Sequence, residues 1–280
     1  MFAVEKTNIL ENPRQRRNYV YLEHTQSLCS KCLRVVDAKI IRTDDNKIVL
    51  RKWCREHGFE SCLLHSDADW YLHAQKYNRP GDIPLKFPTE VERGCPYDCG
   101  VCPDHEQHMC LGLIDLTDDC NLACPTCFSD SKGSAYLTMD QVKASLDGFI
   151  EQEGVGAVIQ FSGGEPTMHP QIVEAVKEAV DRPTEVVMIN TNGIKFAQDE
   201  DLIKRLVDVS ENKLEIYLQF DGFTDEVHQK IRGAKLVDIK MKAIENMLKH
   251  GLPINLAAVI QRGVNEDQVG KIVEFGIETK

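Results

Sequence analysis

Long apolar runs are absent from this sequence of 280 residues. A membrane-spanning helix needs ~18 or more consecutive apolar residues, and no segment approaches that length. A secretory signal peptide needs an apolar core behind a basic start, whereas residues 1–20 mix acidic and basic side chains along their length. We therefore expect no transmembrane segment, no signal peptide and a cytoplasmic location.

An excess of positive charge is also absent. The chain has 33 lysine and arginine residues against 44 aspartate and glutamate residues, a net charge of −11. Nucleic-acid binding requires a basic face, and binding to an anionic membrane surface requires a local basic patch, so we expect neither partner. The hydrophobic content of 42% and the charged content of 28% are typical of a globular protein with one large or two smaller domains.

Cysteine, by contrast, is abundant. Its 11 residues fall in three groups, within 29–62, 95–110 and 120–127. An odd number of cysteines separated by two or three residues does not suit a secreted disulfide framework. The spacing indicates metal ligands in a reducing compartment.

The first group flanks a predicted β-hairpin. Residues 35–41 and 47–50 are strand-like runs joined by a turn-like segment at 43–46. Each end of this hairpin carries two potential ligands separated by two residues, which is the arrangement of a zinc ribbon or a rubredoxin-like site. We expect one zinc or iron ion here, and its predicted ligands are Cys29, Cys32, Cys54 and His57.

The fourth ligand of this site has an alternative in Cys62. His57 completes a pair with Cys54 at the x2 spacing, whereas seven residues separate Cys54 from Cys62. We therefore prefer His57 as the ligand. Cys62 is then expected to be a small buried apolar side chain.

The second group has the pattern C-x3-C-x2-C with a fourth thiol nearby. Four thiolates saturate a 4Fe–4S cluster with protein ligands, which suits electron transfer or substrate anchoring. A zinc site in which His105 or His108 replaces the fourth thiol is the alternative. We expect an auxiliary 4Fe–4S cluster, and its predicted ligands are Cys95, Cys99, Cys102 and Cys110.

The third group follows a strand-like run at 111–116 and repeats C-x3-C-x2-C without an obvious fourth thiol. Iron–sulfur clusters normally take four ligands, so three thiols predict a 4Fe–4S cluster with one iron left open. An open coordination position admits a substrate, whereas a closed site is structural. A zinc knuckle or a structural thiol cluster is the alternative. The predicted ligands are Cys120, Cys124 and Cys127.

A glycine-containing loop ends the next strand-like run. Residues 158–161 lead into Gly163, Gly164 and Glu165. Two adjacent residues without a Cβ atom let the backbone approach a ligand closely. The sequence therefore predicts a binding loop after this strand.

The C-x3-C-x2-C pattern at 120–127 followed by Gly-Gly-Glu-Pro at 163–166 resembles the radical S-adenosylmethionine (radical SAM) superfamily. The resemblance implies that the three cysteines hold a 4Fe–4S cluster whose fourth iron is chelated by the amino and carboxylate groups of S-adenosylmethionine. It implies reductive cleavage of that cofactor to a 5′-deoxyadenosyl radical, which abstracts hydrogen from carbon. The protein positions and shields the cofactor.

One position departs from the family pattern. The residue before the third cysteine is usually aromatic, and here it is Thr126, with Phe128 just after the cysteine. The resemblance implies a backbone contact with the adenine at Thr126, with Phe128 as the nearby aromatic residue. It further implies that Gly163, Gly164 and Glu165 lie beside the cofactor's ammonium group, largely through backbone atoms.

From residue 111 onward, strand-like and helix-like segments alternate. Such alternation predicts a parallel sheet with right-handed crossovers and is similar to the family's partial (β/α) barrel. Thr138 and Gln141 have the spacing of a helix capping box. The strand-like runs are 111–116, 156–161, 186–190, 214–220 and 254–260, and the helix-like segments are 139–152, 170–181, 199–208, 237–250 and one from about 266.

The predicted fold class is α/β, with a partial TIM-like radical SAM barrel behind a small β-hairpin metal ribbon. We expect three segments: the ribbon at 1–66, a linker with the auxiliary cluster at 67–110, and the barrel at 111–280. The alternation stops at Lys280 within the fifth helix. We therefore expect the barrel to be C-terminally incomplete, a piece of a longer protein.

Polar side chains lie at the carboxyl ends of two of the predicted barrel strands. The carboxyl ends of the strands form the active face of such a barrel. Asn190 and Asn192 follow the third strand, and Gln219 lies in an otherwise apolar run at the fourth. The resemblance implies that Asn190 and Asn192 contact the cofactor's ribose or carboxylate, and we expect Gln219 to face the cofactor. The alternative for Asn192 is a turn residue in the left-handed conformation.

The order of metal ribbon, four-cysteine segment and radical cluster is similar to the group that contains archaeal tetraether lipid synthase and dihydropterin methyltransferases. This likeness rests on residues 29–57, 95–110 and 121–128. It implies a transferase that forms carbon–carbon bonds on lipid chains, with methyl transfer to a dihydropterin as the alternative. It implies a small-molecule or lipid substrate and an electron donor such as ferredoxin or flavodoxin. An iron–sulfur electron-transfer or metal-binding module is the non-enzymatic alternative.

Overall fold

The computed structural model describes residues 18–79, 81–103, 108–129 and 133–279. Two compact units make up the chain. One unit comprises Met1–Asp82 and Thr89–His105, and the other comprises Ile83–Pro88 and Glu106–Lys280, counting only the described residues of each. The predicted division into three segments stays a prediction.

The first unit contains a four-stranded antiparallel sheet in the order β1-β2-β3-β4. The sequence predicts only the central hairpin, which is β2 and β3. The two outer strands carry mostly exposed or half-buried side chains, so their apolar pattern is weak. The strands are β1 Tyr19–Leu28, β2 Val35–Thr43, β3 Ile48–Cys54 and β4 Gly58–His65.

One short helix, α1 (Ala68–Ala74), covers the ribbon sheet. Asp67 caps this helix, because its carboxylate accepts hydrogen bonds from the backbone N–H groups of Asp69 and Trp70. Ala68 is fully buried against Ile40 and Ile48. This small apolar cluster packs α1 against β2 and β3.

The second unit contains a five-stranded parallel sheet in the order β5-β6-β7-β8-β9. This sequential order of parallel strands with intervening helices confirms the predicted α/β partial-barrel fold. The strands are β5 Gly112–Thr117, β6 Ala157–Gly163, β7 Thr184–Thr191, β8 Leu214–Gln219 and β9 Ile254–Ala257. The helices are α2 Met139–Glu153, α3 Ile172–Val180, α4 Ile194–Gln198, α5 Glu200–Ser210, α6 Asp225–Arg232, α7 Val237–Lys249 and α8 Val269–Glu278.

The core of this unit lies between the sheet and its helices. Branched and aromatic side chains of β6 and β7, including Ile159, Phe161 and Ile189, are 0% exposed. Fully burying one such side chain stabilises a protein by about 1.5–3 kcal/mol. The sheet is therefore a rigid base whose carboxyl edge presents the loops at 118–129, 163–168 and 190–193.

In the second unit, the structure differs from the predicted elements in three places. Strand β9 ends at Ala257, although the apolar run continues to residue 260. Helices α4 and α6 are additional. Their sequences are short, and α6 buries only three side chains, Val227, His228 and Ile231, so its apolar period is weak.

Within the described part of the chain, no helix has both the length and the apolar character that crossing a membrane requires.

The predicted capping box at the start of α2 is confirmed. The Gln141 backbone N–H donates to the Thr138 hydroxyl at 3.3 Å, and the Thr138 backbone N–H donates to Gln141 Oε1 at 2.9 Å. Two N–H groups at the start of the helix are thereby satisfied reciprocally.

We expect the substitution Thr138→Ala to lower the free energy of unfolding by about 1 kcal/mol, because the Gln141 N–H loses its acceptor. Chemical denaturation followed by circular dichroism measures this change. Thr138→Ser keeps the hydroxyl and is the matched control. Equal stability of the alanine and serine variants would show that the cap contributes nothing.

Candidate functional site

The first candidate site is a tetrahedral ligand set in the ribbon. Among the described residues, one group of potential metal ligands has all its ligand atoms within 4.8 Å of one another, and its members are Cys29, Cys32, Cys54 and His57. These are the four ligands predicted from the sequence. Two short turns carry these ligands. Cys29 and Cys32 precede β2, whereas Cys54 ends β3 and His57 precedes β4.

The distances in this group match those around a single metal ion. The Sγ atoms of Cys32 and Cys54 lie 3.8 Å apart, and His57 Nδ1 lies 3.5 Å from Sγ of both Cys29 and Cys54. Tetrahedral bonds of ~2.3 Å to sulfur and ~2.1 Å to nitrogen put two sulfurs about 3.8 Å apart and a sulfur and a nitrogen about 3.5 Å apart. The donor set and its spacing therefore fit one zinc or iron ion.

Backbone N–H groups prepare this site for a cation. The backbone groups of Cys32 and Lys31 lower the pKa of the Cys29 thiol to about 6. The neighbouring Cys54 raises the pKa of His57. A metal ion binds the thiolate form of cysteine, so the low pKa of Cys29 favours binding at neutral pH.

Cys62 does not take part in this group. It lies on β4, its side chain is exposed, and its thiol contacts the Leu63 carbonyl oxygen at 3.8 Å. The prediction that Cys62 is buried is wrong, because β4 is an outer strand. The preference for His57 over Cys62 agrees with the geometry.

The second candidate site is the loop that carries Cys120, Cys124 and Cys127. It begins directly after β5, where the Thr117 hydroxyl accepts the Asp119 N–H at 3.0 Å. A turn inside the loop is closed by the Cys127 N–H, which donates to the Cys124 carbonyl oxygen at 3.1 Å. Cys120 and Cys124 are half-buried, and Cys127 is exposed.

The Gly163–Gly164 pair packs against the base of this cysteine loop. The Gly164 N–H donates to the Thr117 carbonyl oxygen at 2.7 Å, and the Glu165 N–H donates to the Asp119 carbonyl oxygen at 2.8 Å. A Cβ atom on Gly163 would lie 2.2 Å from the Thr117 oxygen, and one on Gly164 would lie 2.1 Å from the Asp119 oxygen. The absence of side chains here therefore admits the chain's own backbone.

Glu165 is buried and bonded by the protein itself. Its side chain is 1% exposed. One carboxylate oxygen accepts from the Thr167 N–H at 3.2 Å and from the hydroxyls of Thr167 and Thr191 at 2.6 and 2.7 Å. The other accepts from the Asn192 N–H at 2.8 Å. Glu165 therefore ties the loop after β6 to the loop after β7, and a direct contact with a cofactor stays a prediction.

Asn192 connects three elements. Its side-chain amide donates to Asn121 Oδ1 at 2.6 Å, and its Oδ1 accepts the Ile194 N–H at 3.0 Å. Its carbonyl oxygen accepts the ammonium group of Lys240, a residue of α7. Every polar group of Asn192 is therefore bonded within the chain. The predicted contact of Asn192 with a cofactor stays a prediction.

A chain of hydrogen bonds runs along the carboxyl edge of the sheet. Asn190 Nδ2 donates to the Ser162 hydroxyl at 3.3 Å, and Gln219 Nε2 donates to Asn190 Oδ1 at 2.8 Å. Arg232 then donates to Gln219 Oε1 at 2.7 Å and to both oxygens of Asp221 at 2.6 and 2.8 Å. The structure therefore brings the predicted residues Asn190 and Gln219 together at one polar edge.

Two further residues at this edge were not predicted from the sequence. Arg232 ends α6, a helix that the sequence pattern did not reveal. Lys240 lies in α7, where it is 0% exposed and shares the buried face with Ala243, Ile244 and Met247. A lysine in the apolar stripe of an amphipathic helix was the available signal.

Burial and neighbouring charges both shift the pKa values of Cys120, Cys124 and Lys240. Burial raises the pKa of Cys120, and the neighbouring carboxylate of Glu165 adds to that effect. Burial also raises the pKa of Cys124, while the guanidinium group of Arg232 opposes the increase. Burial lowers the pKa of Lys240 to about 8, and the nearby Arg232 contributes in the same direction.

The residues around the third cysteine differ in accessibility. The Thr126 hydroxyl donates to the Ile231 carbonyl oxygen at 3.0 Å, which ties the cysteine loop to α6. Phe128 is fully exposed. Contacts of these two residues with an adenine stay predictions.

The ligands predicted for the auxiliary cluster fall in both units. Cys95, Cys99 and Cys102 belong to the first unit and Cys110 to the second, and an iron–sulfur site formed by them stays a prediction. For the zinc alternative, His105 lies outside the described residues. His108 pairs with the Glu153 carboxylate of α2 at 3.2 Å, so it already has a partner.

We expect His57→Ala to remove about one bound zinc or iron ion per chain, because three ligands do not close a tetrahedral site. Metal analysis of the purified protein measures this loss. Cys62→Ala is the matched control and should keep the full metal content. Loss of metal from the Cys62 variant instead would contradict the ligand set.

We expect Gly164→Ala to lower the free energy of unfolding by about 1–3 kcal/mol, because the new methyl group collides with the Asp119 carbonyl oxygen. It should also lower the iron bound per chain by displacing the cysteine loop. Gly148→Ala in α2 is the control, since a Cβ atom there meets nothing within 4 Å and alanine favours a helix. Equal stability of the two variants would contradict the close packing.

Two protein-family models match this chain. The model of the Radical SAM superfamily matches residues 114–276, more than half of the chain. The model described as the HMPTM N-terminal zinc ribbon domain matches residues 21–66. The first match contains the cysteine loop and the parallel sheet, and the second contains the tetrahedral ligand set.

Curated relatives match over a large part of this chain. A 7,8-dihydro-6-hydroxymethylpterin dimethyltransferase from Methanocaldococcus jannaschii is 37% identical over 258 residues, covering 91% of this chain and 50% of that protein. A GTP 3′,8-cyclase from Chlorobaculum tepidum is 29% identical, covering 58% of this chain and 48% of that protein. The chain thus spans about half the length of these relatives.

Solved structures show the same fold. SuiB of Streptococcus suis bound to the precursor peptide SuiA superimposes with a TM-score of 0.52 at 14% identity, covering 93% of this chain and 61% of that chain. Taken with the match over residues 114–276, the cysteine loop and its parallel sheet identify this chain as a member of the radical SAM superfamily.

Proposed function

We propose that this chain carries the S-adenosylmethionine-cleaving core of a radical SAM enzyme, with Cys120, Cys124 and Cys127 as ligands of its 4Fe–4S cluster. The observation that carries the proposal is the position of the cysteine loop. It follows β5 and rests on the glycine pair that ends β6. This edge of a (β/α) barrel is where catalytic groups lie.

The number of thiols in the loop supports a cluster with an open iron. Iron–sulfur clusters normally take four ligands, and the loop supplies three, Cys120, Cys124 and Cys127. Cys124 and Cys127 both influence the pKa of Cys120, so the three thiols share one neighbourhood.

When bound, a reduced 4Fe–4S cluster with one open iron supplies the electron that breaks a carbon–sulfur bond of S-adenosylmethionine. The chain's own residues hold the site in shape. Glu165 and Asn192 lock the loops after β6 and β7 together, and Asn192 also fixes Asn121 in the cysteine loop. Asn190 and Gln219 supply a polar edge beside it.

A dihydropterin is the substrate class that we infer. The support is the pterin dimethyltransferase relative, which is 37% identical and aligns with 91% of this chain. Its alignment includes both the ribbon and the cysteine loop, so the likeness is not confined to the common barrel. The lipid substrate implied by the sequence order stays an alternative prediction, and so does an external donor such as ferredoxin or flavodoxin.

We further propose that the ribbon holds one zinc ion. The support is the tetrahedral spacing of its four ligands and the match to a zinc ribbon family over residues 21–66. The site has no open ligand position, so its role is structural.

We also propose an auxiliary 4Fe–4S cluster whose ligands are Cys95, Cys99, Cys102 and Cys110.

We expect anaerobically reconstituted, dithionite-reduced protein to convert S-adenosylmethionine into 5′-deoxyadenosine and methionine. Liquid chromatography with mass spectrometry measures both products. Cys124→Ala removes one cluster ligand and should abolish them, whereas Cys62→Ala, on the outer strand of the ribbon, should leave them unchanged. Absence of both products from protein that contains the cluster would refute the proposal.

The same assay tests the substrate class. With 7,8-dihydro-6-hydroxymethylpterin present, we expect a methylated pterin and a higher rate of cofactor consumption than without it. Cofactor cleavage with an unmodified pterin would leave the proposed core intact and reject the pterin as substrate.

A further inference from the structure

A guanidinium group lies beside the loop that carries one of the proposed cluster ligands. The end of α6 packs against this loop: the Thr126 hydroxyl donates to the Ile231 carbonyl oxygen at 3.0 Å, and a Cβ atom on Gly233 would lie 3.1 Å from the Ala123 carbonyl oxygen. Arg232 lies between these two contacts, donates to Asp221 and Gln219, and its charge acts on Cys124. Its side chain is only 13% exposed, so its position beside the cysteine loop is set by the fold.

A second cation lies buried in the same place. The Lys240 side chain is fully buried, and its ammonium group donates to the Asn192 carbonyl oxygen. The charge of Lys240 also acts on Cys124. Burying an ammonium group is costly unless a negative group compensates it, and the charges of Asp221 and Glu165 act on Lys240 in that sense. The Asn192 side chain donates to Asn121 of the cysteine loop, so Lys240 is connected to that loop through Asn192.

The buried charges around Cys124 balance before any cluster is counted. Arg232 and Lys240 are positive, and Asp221 and Glu165 are negative. Asp221 is held by Arg232 in a bidentate ion pair, and Glu165 is held by hydroxyl and N–H donors. Lys240 interacts with the charges of Asp221 and Glu165, and also with a negative charge at Cys124.

Reduction of a cluster produces such a charge. One electron, supplied by dithionite or by a protein donor, adds one negative charge to the core and its three thiolates, and no bond forms or breaks. Hydrogen bonds to the sulfurs, nearby charge and solvent exposure set the potential of an iron–sulfur cluster. Partners outside the ligand set are an established means of such tuning.

We propose that Arg232 and Lys240 form a cationic pair beside the cysteine loop that stabilises the reduced cluster and so raises its reduction potential. This inference rests on the proposed function, because it requires a cluster at Cys120, Cys124 and Cys127. Both residues are positioning residues, since they act on the cluster through Cys124 and through the field inside the unit.

The test is an EPR-monitored redox titration of the full chain. Only the cluster with an open iron changes its EPR spectrum when S-adenosylmethionine is added, which separates it from a cluster saturated by protein ligands. Lys240→Met keeps the length of the side chain and removes the charge. We expect it to make one-electron reduction about tenfold less favourable, a shift of about 59 mV to more negative potential.

Lys242→Met is the matched control. Lys242 lies on the same helix, but its side chain is 49% exposed, so solvent screens its charge and the potential should not move. Lys240→Arg keeps the charge and should retain most of the wild-type potential. Equal potentials for wild type and Lys240→Met, with equal iron content, would overturn the role of Lys240.

Variants of Arg232 provide an independent test in the same titration if the Lys240 variants do not fold. Arg232→Gln should shift the potential in the same direction, and Arg232→Lys should recover part of the shift. An unchanged potential in Arg232→Gln, with the cluster intact, would refute the cationic pair. Failure of wild type to show any cluster that responds to S-adenosylmethionine would instead reject the proposed function, so the two failures are distinct.

Discussion

The buried carboxylate of Glu165 constrains the rest of the barrel edge. A carboxylate that is 1% exposed is tolerated only when its oxygens are fully hydrogen-bonded. Its donors come from Thr167 in its own loop, from Thr191 at the end of β7 and from Asn192 just after it. Satisfying this one charge therefore fixes two strand ends relative to each other. Asn192 extends the constraint to the cysteine loop through Asn121.

The two candidate metal sites differ in how closely the fold alone arranges their ligand atoms. In the ribbon, four ligand atoms already have the spacing of a tetrahedral ion, because a hairpin brings two short knuckles together. In the barrel, the three thiols share one loop and are held by contacts behind them, namely the glycine pair and the α6 end. A closed structural ion fits the first arrangement. A cluster that must also admit a cofactor fits the second.

Several residues have a role different from the one their type suggests. Gly163 and Gly164 admit the backbone of residues 117–119 rather than a ligand. Asn190 and Gln219 lie at the predicted edge, yet their amides are engaged by each other and by Arg232. The polar groups at the strand ends therefore mainly hold one another and the cysteine loop in position. Arg232 and Lys240 add positive charge at this edge and oppose the increase that burial causes in the pKa of Cys124.

The sequence by itself determined the four ribbon residues that the structure brings together, Cys29, Cys32, Cys54 and His57, the α/β alternation and the capping box at Thr138, because spacing and period are local properties of the chain. It missed the outer ribbon strands and α6, whose apolar patterns are weak. Only the tertiary structure decided that Cys62 is exposed and that Glu165 is bonded by the chain itself. It also revealed Arg232 and Lys240. These facts depend on contacts between segments far apart in sequence, such as that of Lys240 with Asn192, and side-chain charge acts through space rather than along the chain.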